Sequence, residues 1–270
     1  MNTIRASFGR LENRVAIVTG ASSGIGRAIA LTYAREGASV VCADIRESVD
    51  RNEQPTNQAI RDMGGKSIFW RTDVGDSTSM KTLVEATVQE FGKVDIMVNN
   101  AGIAPEASNH LPIYETSEAT YDSTMRINSK GVWLGCKYAG QQMIKQNVEA
   151  GDSRGWIVNI ASVLGLTGKA GTSAYTASKG SVISLTRAVA MDYAPHNIHC
   201  NVICPGFTRT AMIQQMCEED GTRKVLDAAH PLKGLGQPDD IAKAALFFAS
   251  GDSNWITAVT LPVDGGYVAQ

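Results

Sequence analysis

Short apolar, β-branched runs alternate with longer helical patterns along this chain, and that rhythm leaves few folds open. The runs are RVAIVT (14–19), ASVVCA (38–43), KSIFWRT (66–72), KVDIMVN (93–99), GWIVNIA (155–161), IHCNVIC (198–204) and AVTLPV (258–263). Helical stretches separate them, notably about 120–147 and 173–194. Strands that return through helices run parallel, so the pattern predicts an α/β fold with a doubly wound, parallel seven-stranded sheet and helices on both faces. No Pro- or Ser-rich linker and no internal repeat interrupts it, which predicts one domain over 1–270. A composition with 43% hydrophobic residues supplies the core for a domain of that size. Residues 207–237 break the rhythm with a helix-forming insertion just after a strand's C-terminal end, and this stretch reads as a substrate lid.

Charge and cysteine usage exclude several functions. A formal net charge of -2 with no long run of one sign gives no footprint for nucleic acid or an anionic membrane surface. The N-terminal MNTIRASFGRLENR has no apolar signal core and no segment is long enough to span a bilayer, so a soluble, cytoplasmic protein acting on small molecules is expected. Cys42, Cys136, Cys200, Cys204 and Cys217 form no C-x-x-C pair and read as buried thiols. His110, His196, His199 and His230 form no ligand-spaced cluster; no metal is expected.

Chemistry collects at the ends of the strands. Thr19-Gly20-Ala21-Ser22-Ser23-Gly24-Ile25-Gly26 joins the first strand to a helix. Glycines there permit a tight turn and close backbone approach, while the helix offers free N–H groups to a pyrophosphate. Asp44 ends the second strand, where a carboxylate accepts from both ribose hydroxyls of an adenosine and repels a 2′-phosphate. NAD is therefore favoured over NADP, although Arg46, two residues on, could neutralise a phosphate. Tyr175 and Lys179, four positions apart in SAYTASKG, share a helix face. Helix packing alone also accounts for that spacing, and a serine such as Ser162 at a strand end is also a common structural feature. Pro205-Gly206 and Asn99-Asn100-Ala101-Gly102 read locally as turns, on the same ligand-binding edge.

Taken together, these motifs resemble the short-chain dehydrogenase/reductase family over nearly the whole chain. The likeness rests on the glycine turn at 19–26, Asn99-Asn100-Ala101-Gly102, Ser162 with Tyr175-Thr176-Ala177-Ser178-Lys179, and Pro205-Gly206. It implies a Rossmann fold, with Asn128, Ser162, Tyr175 and Lys179 in the catalytic positions. It implies a cofactor set of Gly20, Ser22, Ser23, Gly24, Ile25, Gly26, Asp44, Ile45, Asp73, Val74, Asn100, Ala101, Gly102, Tyr175, Lys179, Pro205, Gly206 and Thr208. Within that set Asp73 would contact adenine, Asn100 would lie beside the cofactor and Thr208 would bond the nicotinamide carboxamide. Asn128 would hold a water linking Lys179 to solvent.

The expected reaction transfers hydride between NAD(H) and a secondary alcohol or ketone. Tyr175 would be the acid/base, Ser162 would orient the substrate oxygen, and Lys179 would lower the phenol's pKa and bind ribose. A charge pair at about 4 Å is worth about 1 kcal/mol in water but about 4 at an effective dielectric near 20, so the site should be partly closed to water. Two other readings fit the same motifs: an NADPH-dependent β-ketoacyl reductase and a non-catalytic nicotinamide redox sensor. Candidate pocket residues are Ala104, Pro105 and Glu106, Val163 to Thr167, and Phe207 to Met216; Val163, Leu164, Leu166, Phe207, Met212 and Met216 suggest an apolar or cyclic substrate. Trp133, Leu134 and Tyr138, with Val182, Leu185 and Val189, suggest more apolar helix surface than one sheet covers, and the resemblance implies association through these helices, so a homotetramer is expected, with a dimer as second choice.

Overall fold

The computed structural model describes residues 9–48, 53–148, 152–213, 220–232 and 234–270. Of the residues singled out above, Met216 and Cys217 lie outside them. Strands β1 (Val15–Thr19), β2 (Ser39–Asp44), β3 (Ser67–Arg71), β4 (Ile96–Asn99), β5 (Gly155–Ile160), β6 (Ile198–Pro205) and β7 (Thr260–Val263) pair in parallel throughout. Their order is β3-β2-β1-β4-β5-β6-β7. The expected seven-stranded doubly wound sheet is present; the apolar runs begin up to three residues before their strands, and β2 and β6 extend one residue past theirs.

Alternation along each strand divides the core. Ala16, Val18, Val40, Cys42, Ile96 and Val98 face α1 (Gly24–Arg35), α2 (Thr56–Asp62) and a late helix, Pro238–Phe248. Ile17, Val41, Ala43 and Met97 face α3 (Ser77–Phe91), α5 (Gly131–Lys145) and α6 (Ser173–Tyr193). Because strands buried on both faces must be apolar on both, β1, β2 and β4 read as nearly unbroken hydrophobic runs. Cross-layer hydrogen bonds add to the packing, as where the fully buried Tyr33 hydroxyl donates to Ala245 O at 2.8 Å.

The expected helix at 120–147 is not uniform. It runs as α4 (Glu118–Met125), a π-helical turn at Arg126–Lys130, then α5. Asn128 sits in the π turn, fully buried. Such a turn widens the helix by one residue and turns side chains inward that a regular helix would aim elsewhere. Leu134, Val182 and Val189 are buried within the chain, facing the sheet, which corrects the expectation that they supply spare surface; Trp133 stays 46% exposed.

The chain leaves β1 and β4 in opposite directions across the sheet, which opens a crevice at their C-terminal ends. Thr19 ties its two sides together. Its buried hydroxyl donates to Val98 O at 3.2 Å and accepts from Asn100 N and Ala101 N at 3.0 and 3.1 Å. Residues 207–237 lie beyond β6 at the same edge, with α7 (Asp220–Ala228) inside the stretch; 214–219 and 233 lie outside the described residues. The late helix Pro238–Phe248 is α8. No described helix is long and apolar enough to cross a membrane.

Candidate active site

A cavity of about 370 Å³ occupies this crevice. At one end lies the turn after β1. Gly20 has φ +67, and a Cβ there would stand 2.8 Å from Asn100 Nδ2 and 2.9 Å from Ala101 Cα, so only glycine fits. Asn100 braces the turn with its amide, donating to Thr19 O at 2.9 Å and Gly20 O at 3.3 Å. Helix α1 begins after Ser23 with no side chain capping it and no acidic residue in its first turn. Its free N–H groups and positive end are therefore available to a phosphate.

Asp44 closes β2 beside this turn. Its carboxylate accepts from Ser22 N at 3.1 Å and Ile45 N at 2.7 Å, which fixes it against the turn while leaving further lone pairs on each oxygen. Arg46 is exposed and does not line the cavity. Asp73 lines it, but Arg126 holds both its oxygens at 3.0 and 2.9 Å, and Gly75 N donates at 2.9 Å.

The other end carries Ser162, Tyr175 and Lys179, all lining the same cavity. Lys179 is buried, donates from Nζ to Ile160 O at 3.0 Å, and stands 5.7 Å from the centre of the Tyr175 ring. Burial pushes its ammonium down to about 8. Burial pushes the Tyr175 phenol up, opposed by hydrogen bonding with Ser162. Burial penalises the charged form of each, the phenolate of Tyr175 and the ammonium of Lys179. Ser162 lies two residues past the end of β5 rather than on it, and its hydroxyl accepts from Leu164 N at 3.1 Å.

Asn128 is one layer behind the cavity. Its Oδ1 accepts from Ile103 N at 2.8 Å, and its Nδ2 donates to Ile103 O at 2.9 Å and Ser178 Oγ at 3.1 Å. It thereby joins the loop after β4 to the Tyr175 helix. Asn128 Oδ1 and Lys179 Nζ both approach Gly102, where a Cβ would lie 3.3 and 3.5 Å from them. Ser22 and Gly26 are likewise behind the lining: the Ser22 hydroxyl donates to Arg46 O, and a Cβ on Gly26 would overlap the Gly20 carbonyl. The remaining residues of the sequence-derived set line the cavity.

Two groups escaped the sequence reading. Glu106, seen there only as a pocket residue, is buried and caps α6: its carboxylate accepts from Ala174 N at 3.1 Å, Tyr175 N at 2.8 Å and Ser173 Oγ at 3.4 Å. An anion at the positive end of the helix steadies the turn that carries Tyr175. Lys169, on the loop between Ser162 and Tyr175, lines the cavity half-buried, with Nζ 5.1 Å from the centre of the Phe207 ring. Of the expected pocket residues, Ala104, Glu106, Val163, Leu164, Phe207, Thr208, Thr210, Ala211, Met212 and Ile213 line the cavity, whereas Pro105, Gly165, Leu166, Thr167 and Arg209 do not. Leu166 is 41% exposed, since the 3-10 turn Val163–Gly165 leaves it pointing outward.

The start of the 207–237 stretch is fixed by His230, whose Nε2 accepts from Phe207 N at 3.1 Å, so that Nδ1 carries the proton and donates to Leu226 O at 2.6 Å. His199 is committed elsewhere, its Nε2 2.9 Å from Ser153 Oγ and its ring stacked on Trp156. Cys42, Cys136, Cys200 and Cys204 are buried and unpaired.

Comparison with known proteins bears on this arrangement. The family described as Enoyl-(Acyl carrier protein) reductase matches residues 20–268. The 2-(R)-hydroxypropyl-CoM dehydrogenase of Xanthobacter autotrophicus is 37% identical over 257 residues, covering 95% of this chain and 99% of its own length. The cis-4-hydroxycyclohexanecarboxylate dehydrogenase of Sinomonas cyclohexanicum is also 37% identical over 257 residues, covering 95% of this chain and 97% of its own. Among solved structures, an Agrobacterium tumefaciens protein described as a 2-deoxy-D-gluconate 3-dehydrogenase, with NADP bound, superposes with a TM-score of 0.84 at 32% identity, covering 96% of this chain and 98% of that one.

Proposed function

The chain belongs to the short-chain dehydrogenase/reductase family and is an oxidoreductase, and from that premise we propose that it transfers hydride between NAD(H) and a secondary alcohol or its ketone. One observation carries the reading: Ser162, Tyr175 and Lys179 line the cavity whose far end is the glycine turn and Asp44. The turn, the uncapped start of α1 and Asp44 suit a dinucleotide, and when bound its nicotinamide would supply the hydride chemistry. The relatives named above as dehydrogenases are named for secondary alcohols.

In this reading Tyr175 takes the hydroxyl proton in oxidation and returns it in reduction, while Ser162 orients the oxygen. The phenol is held up by burial, so it needs positive charge nearby before it can act as a base. Lys179 supplies part of that charge and would bind the ribose of a bound dinucleotide. Asn128 and Lys179, facing each other beside Gly102, would hold a relay water between the phenol and solvent.

NAD is the proposed cofactor because Asp44 is fixed where it would repel a 2′-phosphate, and Arg46 stands away from the cavity. The NADP-bound relative makes this choice worth measuring directly: kcat/KM with NAD should exceed that with NADP, and the reverse order would sink the role given to Asp44. The apolar lining by Val163, Leu164, Phe207 and Met212 suits a ring or a short aliphatic body. A homotetramer remains the proposed assembly, with a dimer second, and light scattering would test it.

Tyr175→Phe removes the transferable proton and little volume. Calorimetry should show NAD affinity nearly unchanged, while turnover of secondary alcohols falls about a hundredfold or more. Normal affinity with substantial turnover would overturn the assignment.

A further inference from the structure

The substrate end of the cavity is apolar except for a few groups, and their charges are unequal. Glu106 is the acid there, but its carboxylate is taken up by Ser173, Ala174 and Tyr175. Asp44 and Asp73 sit at the nucleotide end, engaged by backbone and Arg126. Lys169 is different. None of the ion pairs among the described residues includes it, and its Nζ lies over the Phe207 ring.

We propose that Lys169 is an anion-binding residue of the substrate site, so that the alcohol this enzyme takes carries a carboxylate on an apolar body. The substrate class holds only if the cavity is the hydride-transfer site described above.

Three features support it. The backbone of Lys169 is tied to the turn that carries the acid/base: its carbonyl accepts from Thr172 Oγ1 at 2.7 Å, that hydroxyl also pairs with Thr176 Oγ1 at 3.1 Å, and Tyr175 lies on the same first turn of α6. A carboxylate held by Lys169 would therefore lie within one lysine side chain's reach of the turn that carries Tyr175, which limits which hydroxyl of a substrate can meet the phenol. His110, also lining the cavity, lies on the loop that packs against Gly171, where a Cβ would stand 2.8 Å from His110 Cβ. A second basic side chain thus borders the same rim. Burial pushes the Lys169 ammonium down, so its charge is under-solvated and gains from a counter-anion that excludes water.

The test pairs 3-hydroxycyclohexanecarboxylate with its carboxamide, which keeps shape and loses charge. The wild type should favour the carboxylate by about tenfold or more in kcat/KM, Lys169→Met should erase that preference, and Lys169→Arg should keep most of it. NAD binding to each variant checks folding. Equal use of the two compounds by the wild type, or a preference that survives in Lys169→Met, overturns the proposal. Should neither compound be oxidised, calorimetry with cyclohexanecarboxylate and cyclohexanecarboxamide decides the matter without turnover. Binding of the acid that weakens about tenfold in Lys169→Met supports the anion site while removing the support for hydride transfer, and no binding of the acid overturns the anion site itself.

Discussion

At one end of the cavity Asp44 accepts from Ser22 and Ile45, and Asp73 is clasped by Arg126; at the other, Lys179 has one backbone carbonyl and Lys169 one aromatic face. The nucleotide end is thus built from satisfied groups and backbone geometry, a rigid seat. The chemical end keeps charges with fewer partners than their burial demands. Stability and reactivity pull apart there, because a desolvated ammonium that weakens the fold is also one that strongly biases a neighbouring phenol.

Lys179→Met should break this contrast most sharply. Alcohol oxidation should fall about a hundredfold or more, since the acid/base loses its nearest positive charge. Stability should move the other way. The folded pKa of about 8 is below the ordinary 10.5, so between those values the unfolded chain binds a proton that the folded chain does not, and stability from this group rises with pH across the window. Its penalty is full below about pH 8, which makes the variant more stable at pH 7 by up to about 3 kcal/mol, a gain that shrinks toward pH 10.5. Urea denaturation at pH 7 and pH 9.5 measures both limbs; a variant less stable than wild type at pH 7 would show that the ammonium is well solvated.

A substitution at the rigid end should change selectivity more than rate. Asp44→Ser removes the repulsion of a 2′-phosphate, and the ratio of kcat/KM for NADP over NAD should rise about tenfold to a hundredfold. An unchanged ratio would mean that discrimination lies elsewhere on the turn. The smallest effect is expected at Glu106→Gln, which keeps the shape of the α6 cap but loses its charge. Stability should drop by about 1 kcal/mol and kcat should fall several-fold with KM nearly constant, as Tyr175 loses part of its support. Equal losses in kcat and kcat/KM, traced by steady-state kinetics, would fit a group that positions the acid/base; a change in KM alone would place Glu106 in substrate binding instead.

What could be read from the sequence follows the range of each interaction. The βαβ rhythm, the glycine turn, Asp44 at the end of β2 and the Tyr175–Lys179 spacing are local, so the residue types and their separations carry them. Glu106 capping a helix that begins at Ser173 is a meeting of distant segments, and nothing in PEA announces its partner. The π turn at Arg126–Lys130 lies within a helical pattern whose period cannot show one extra residue per turn, so the residues alone do not reveal that Asn128 is fully buried. Leu134, Val182 and Val189 failed for a related reason: apolar side chains on several sides of a helix do not show which of them the sheet covers. Lys169 was missed because a lysine in a loop is usually solvated, and only the folded cavity shows it beside Phe207.

The central claim is that this chain moves hydride directly between a carbinol carbon and the nicotinamide held by the glycine turn. It is tested most directly with cyclohexanol deuterated at the carbinol carbon, NAD and the wild-type protein, followed by mass spectrometry of the cofactor. The account predicts reduced NAD carrying one deuterium, formed by the wild type and not by Tyr175→Phe. Reduced cofactor without deuterium, or cyclohexanone formed with no reduced cofactor, would contradict it.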